Sequence, residues 1–150
     1  MPWLVWWRLM RQLTRRGGGR RESGAFLLGR SEANKVTHFV CYDDLDPTAL
    51  DTGIIVFHGG GFVPLWEECR IRKMRVLADV HTHGGKWTEQ SDSDRTHPMV
   101  CQAGHVALIV PHFAQRRLPT LAGVGIHEYR GDHRWTAWGP KSGKVRLTLL

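Results

Sequence analysis

Residues 80–94 read VHTHGGKWTEQSDSD, and the rest of the chain is organised around them. His81 and His83 stand one residue apart at the end of an apolar run. On a β-strand, residues i and i+2 point the same way, so both imidazoles share a face. After seven intervening residues comes Ser91, and three beyond it Asp94, a carboxylate able to return from a loop. Two imidazoles and one carboxylate form a three-ligand site that leaves a fourth position open, the arrangement of catalytic zinc. Taken singly, the pieces have plainer readings. A His-x-His pair is more often structural than metal-binding, and Ser91-x-x-Asp94 is also a helix N-terminal capping box.

The full spacing, HxH-x7-SxxD, is much more specific and resembles the JAMM (MPN) metalloproteases. That family carries a glutamate seven residues before a glycine that closes an apolar strand. Glu22 stands so before Gly29, in ESGAFLLG. The resemblance spans about residues 22–112. Two positions depart from it: Gly84 stands where the family usually has proline, and Ala25 where it often has glycine, with Gly24 one place early.

The resemblance implies an α+β fold of the MPN, cytidine-deaminase-like kind: a curved mixed sheet flanked by helices. It implies one zinc per chain on His81, His83 and Asp94, with Glu22 as the acid-base group and Ser91 donating to the oxyanion. The activity implied is hydrolysis of the isopeptide or peptide bond after the C-terminus of a ubiquitin-like modifier. The short spans around the motif are most similar to bacterial JAB peptidases of antiphage systems. Partners would be a ubiquitin-like protein or its conjugate, and activating- and conjugating-type enzymes from the same operon. Trp87 and Glu89, in the seven-residue loop, are candidates for substrate contact, because active-site rims are built from loops.

Composition is consistent with one globular domain. The 150 residues are 41% hydrophobic and 23% charged, enough for a sizeable core. Cys41, Cys69 and Cys101 are an odd, small set without metal-type spacing, which fits a reducing cytoplasm better than a disulfide scaffold. No apolar run reaches the roughly 20 residues of a membrane span. The apolar start, Trp3–Trp7, lacks the basic region and cleavage site of a signal peptide. The formal charge is +7, with Arg8, Arg11, Arg15, Arg16, Arg20 and Arg21 all early. Such a run is usually a solvated face, and its sharper reading is attraction to an acidic partner. Nucleic acid is not expected, because aromatics interleaved with the charges are missing outside the Trp-rich start.

In chain order, residues 1–21 form an N-terminal unit and 22–150 the catalytic domain. Trp3, Trp6, Trp7, Met10 and Leu13 recur at helical spacing and predict an amphipathic helix over 3–15, packed on the domain or on a partner. Gly17–Gly19 read as a hinge that frees this helix to tune partner binding without touching the chemistry. Strands are expected at 25–30, 36–42, 54–57, 76–83 and 106–110, a hairpin at 122–129 and 134–138, and a last strand at 145–149. A helix is expected at 64–75. His97, three residues after Asp94, is a candidate outer partner of the metal or a further metal ligand, and Glu32 is the alternative base. The remaining histidines read as surface or satisfied core residues.

Three other functions compete. A RadC-like or phage-tail peptidase would use the same motif without a ubiquitin-like substrate. A non-catalytic MPN scaffold would normally have lost ligands that are all present here. A basic nucleic-acid-binding module would use the early arginines.

Overall fold

The computed structural model of the chain describes residues 1–30, 32–116 and 119–149. Six strands form one sheet in the order β2-β1-β3-β4-β5-β6. The strands are β1 (Gly24–Arg30), β2 (Val36–Cys41), β3 (Met74–Thr82), β4 (Val106–Val110), β5 (Gly125–Gly131) and β6 (Arg134–Trp138). Only the β3–β4 pair is parallel. The other four neighbouring pairs are antiparallel. The helices are α1 (Trp3–Gly17), α2 (Tyr42–Leu45), α3 (Phe62–Arg72) and α4 (Asp92–Thr96). The fold is therefore α+β with a mixed, mostly antiparallel sheet.

The central strands are apolar because both faces of the sheet are covered. All five residues of β4, VALIV, are buried. On one face, Leu27, Val80, Leu108 and Ile126 pack with Trp6, Leu9 and Leu13 of α1. On the other, Phe26 and Leu28 pack with Tyr42, Leu50 and Leu65, from around α2 and α3. Phe26 meets Tyr42 and Phe57 edge-on, with ring centroids 4.8 and 5.4 Å apart.

The tryptophan stripe of α1 thus enters the core: Trp6, Leu9 and Leu13 are 0% exposed, while Trp3 and Trp7 stay near 40%. The expected glycine hinge is a hydrogen-bonded stop. Gly18 takes the left-handed conformation, with φ 56°, and donates to Thr14 O. This closure is the αL motif that caps helix C-termini. Arg20 and Arg21 then both donate to Gly17 O.

Other boundaries shift. Residues 54–57 belong to no strand, and within residues 145–149 the pairing is an isolated bridge, Pro2 to Thr148. The α3 helix starts two residues before Pro64 and stops at Arg72, where Lys73 turns left-handed. Glu68 pairs with Arg72 one turn on, as its spacing suggests. Among the described residues, no helix is long and apolar enough to cross a membrane.

Candidate metal centre

β3 carries His81 to the middle of the sheet, flanked by β1 and β4: His81 pairs with Gly24 on one side and Ile109 on the other. His83 follows one residue past the strand and donates its N–H to Val110 O at 2.9 Å. Both histidines are buried. Their Nε2 atoms are 3.2 Å apart. Asp94 comes from α4, whose first turn is fixed by a capping box. Ser91 Oγ accepts from the Asp94 N–H at 3.1 Å, and Ser91 N–H donates to Asp94 Oδ2 at 2.8 Å. That turn aims the carboxylate at both rings: Oδ1 lies 3.4 Å from His81 Nε2, and Oδ2 lies 3.3 Å from His83 Nε2. His81, His83 and Asp94 form a group able to hold a metal ion.

Surrounding contacts fix the orientation of this group. His83 Nδ1 lies 3.2 Å from Trp87 O, an acceptor. Nδ1 therefore carries the proton, and Nε2 is left with its lone pair toward the metal position. The Trp87 ring stacks on His83 at 5.4 Å. The loop that holds Trp87 is pinned in turn by His127, whose Nε2 donates to Thr88 O at 2.8 Å. Gly84 has a steric reason of its own: a Cβ there would come within 2.7 Å of the Phe113 ring. That ring occupies the space a proline would need.

Electrostatics agree with the geometry. Burial works against a charged Asp94, but hydrogen bonds from His81 and Ser91 outweigh it and hold the carboxyl well below the usual range. Burial likewise opposes charge on His81, and its bond to Asp94 overcomes that, raising the imidazole in the metal-free site.

Glu22 sits just before β1, opposite the end of β3, where Ser23 and Thr82 exchange hydrogen bonds. Gly24 allows this close approach, because a Cβ there would collide with the Tyr42 ring and Val80 O. Glu22 lines a cleft of about 750 Å³ together with Asp79, His81, Ser91, Asp94 and His97. Ile55 N–H holds Glu22 Oε2 at 3.3 Å. Burial pushes the Glu22 carboxyl above the usual range, against the attraction of His81 and His83.

The structure places the other candidates as follows. Ser91 Oγ donates to Asp94 Oδ2 at 2.7 Å. Glu89 is exposed and does not line the cleft. His97 reaches the cleft wall and bonds Thr96 at 2.9 Å, outside the ligand group. Glu32 lies past the far end of β1, away from His81. Sequence reading missed Asp79, 2% exposed on the same strand face as His81. Its carboxylate accepts from His105 Nε2 at 2.6 Å and from the Tyr42 hydroxyl at 3.2 Å. The period-two run Asp79, His81, His83 was the available signal. Apolar side chains, among them Ile54, Val56, Phe62 and Met99, also line the cleft.

No family model matches the chain. The fold is similar to the solution structure of protein DSY2949 from Desulfitobacterium hafniense, with a TM-score of 0.61 over 94% of this chain and 89% of that one. At 14% identity this likeness speaks for the fold alone.

Proposed function

We propose that this chain is a zinc-dependent metallopeptidase of the JAMM (MPN) type. It hydrolyses the isopeptide or peptide bond after the C-terminus of a ubiquitin-like modifier, in a bacterial antiphage setting. The observation that carries the proposal is the ligand triangle, with Glu22 in the same cleft. A tetrahedral ion with bonds of about 2.0–2.1 Å sets its ligand atoms roughly 3.3–3.4 Å apart. Here the two Nε2 atoms are 3.2 Å apart, and each faces its own Asp94 oxygen, His81 Nε2 at 3.4 Å from Oδ1 and His83 Nε2 at 3.3 Å from Oδ2. An octahedral ion of similar bond length needs neighbours at about 2.9 Å and prefers oxygen ligands. Two neutral imidazoles and a carboxylate therefore favour one zinc per chain.

Bound there, zinc lowers the pKa of water from about 16 toward about 7 and polarises the amide carbonyl. Glu22 takes the proton from the attacking water and delivers it to the amine nitrogen as the C–N bond breaks. Its raised pKa suits it to hold that proton between the two transfers. Ser91 reorients its hydroxyl from Asp94 to the developing oxyanion, a donor worth about 3 kcal/mol in such sites. Trp87 stacks on His83 and, like Glu89, does not line the cleft.

The test is cleavage of a ubiquitin-like protein fused to a reporter, with the modifier taken from the same operon. Wild type cleaves after the modifier's last residue. Glu22→Gln keeps zinc and loses turnover. Zinc-loaded wild type that leaves every such fusion intact refutes the substrate. Full activity in Glu22→Gln refutes the assigned base.

A further inference from the structure

We propose that Thr14 of α1 is a positioning residue for His83, acting through a left-handed turn at residues 112–114. The inference rests on the metal reading of His81, His83 and Asp94. His112, Phe113 and Ala114 have φ of 55°, 52° and 58°. For residues with a Cβ this conformation is disfavoured, and a run of three persists only where the surroundings force it.

Two sets of contacts force it. Toward the site, Phe113 N–H donates to His83 O at 2.8 Å, and His112 N–H to Gly85 O at 2.9 Å. The Phe113 ring fills the space beside Gly84. The turn therefore grips His83, Gly84 and Gly85 by backbone and by side chain. Toward the core, Thr14 Oγ1 donates to Ala114 O at 2.8 Å. That hydroxyl already has the usual helical acceptor, Met10 O, at 2.9 Å. A threonine within a helix satisfies itself on that carbonyl alone. The hydroxyl has a single proton, so the two carbonyls share it, and the shorter contact, to Ala114 O, ties the turn to a helix whose inner face is buried. Thr14 thus sets the height of the turn, and the turn sets the backbone of a metal ligand. Groups that orient ligands from behind in this way change metal affinity about 10- to 100-fold when removed.

The variants are Thr14→Val, which keeps shape and loses the donor, and Thr14→Ser, which keeps the donor. Three readouts are taken on the whole chain: zinc affinity by chelator competition, the visible spectrum of the cobalt(II)-loaded protein, and amide exchange at His112 and Phe113 without metal. The expected result for Thr14→Val is at least about tenfold weaker zinc, an altered cobalt spectrum and faster exchange at both amides. Thr14→Ser restores all three. Thr14→Val indistinguishable from wild type in all three overturns the proposal. If wild type itself binds no zinc, the metal reading fails, and the amide exchange alone decides whether Thr14 holds the turn. If Thr14→Val does not fold, Phe113→Leu receives the same measurements. Wild-type zinc affinity and exchange in that variant overturn the proposal equally.

Discussion

Glu22 is held where ionisation is unfavourable, and this has a consequence apart from catalysis. Its folded pKa is raised by burial. A raised carboxyl contributes stability below the ordinary carboxylate range and loses it as pH rises through the folded pKa. Without metal, Glu22→Gln is therefore expected to be more stable than wild type at neutral pH, with the gap closing under acid. Urea midpoints across pH measure it, and a variant less stable than wild type at neutral pH contradicts the assigned environment. Cysteine reactivity offers a second check. Burial pushes the Cys41 thiol up to about 12, and Cys69 is buried too, while Cys101 is exposed. A thiol reagent under native conditions should label Cys101 alone. Residues such as His81, His83, Ser91 and Asp94 were legible because their spacing is local and motif-like. Asp79 was not: its partners Tyr42 and His105 are brought together only by the sheet, 37 and 26 residues away in sequence.

At the scale of elements, α4 and α1 carry the tests. Ser91 caps α4 and hydrogen-bonds Asp94, so the plain reading of Ser91-x-x-Asp94 as a capping box holds, while the oxyanion role stays a proposal. Ser91→Ala should cost about 1 kcal/mol of stability for the lost cap. It should also lower turnover by roughly a hundredfold if the hydroxyl serves the oxyanion. Loss of stability without loss of turnover would leave the cap as its whole role. For α1, Trp6 is 0% exposed, and Trp6→Ala should cost about 3–5 kcal/mol, read from denaturant unfolding. Truncation before Arg20 removes Trp6, Leu9 and Leu13 together, and the remainder is expected not to fold, since whole domains are stable by only about 5–15 kcal/mol. A folded, zinc-loaded truncation would show α1 to be an appendage after all. The helical period of the start was legible, but whether its stripe faced core or partner was not: amphipathicity gives a face, not its occupant. The irregular stretches at 54–57 and 145–149 read as strands from their apolar content. The first lies along the cleft, where Ile55 serves Glu22, and the second pairs with Met1, Pro2 and Trp3 and packs Val145 and Leu147 on the core.

For the whole molecule, the sheet order explains why the site lies where it does. β1 and β4 flank β3, so Glu22 arrives from one side of His81, and the strap after β4 supports His83 from the other. The α4 turn then closes over both with Asp94. The class α+β was readable from the mixture of strands and few helices. The order of strands was not, because β1 pairs with β3 only across the excursion of β2, α2 and α3. Surface charge is likewise distributed by the fold. Arg16, Arg70 and Arg72 find carboxylates, whereas Arg8 and Arg11 on the outer side of α1 have no ion pair among the described residues. One zinc is expected on His81, His83 and Asp94. Anomalous diffraction at the zinc edge, from crystals of protein purified without chelator, tests it most directly. The account predicts one peak per chain, about 2.0–2.1 Å from Nε2 of His81, Nε2 of His83 and a carboxylate oxygen of Asp94. A zinc-replete crystal with no peak there, or with the ion on other residues, would contradict it.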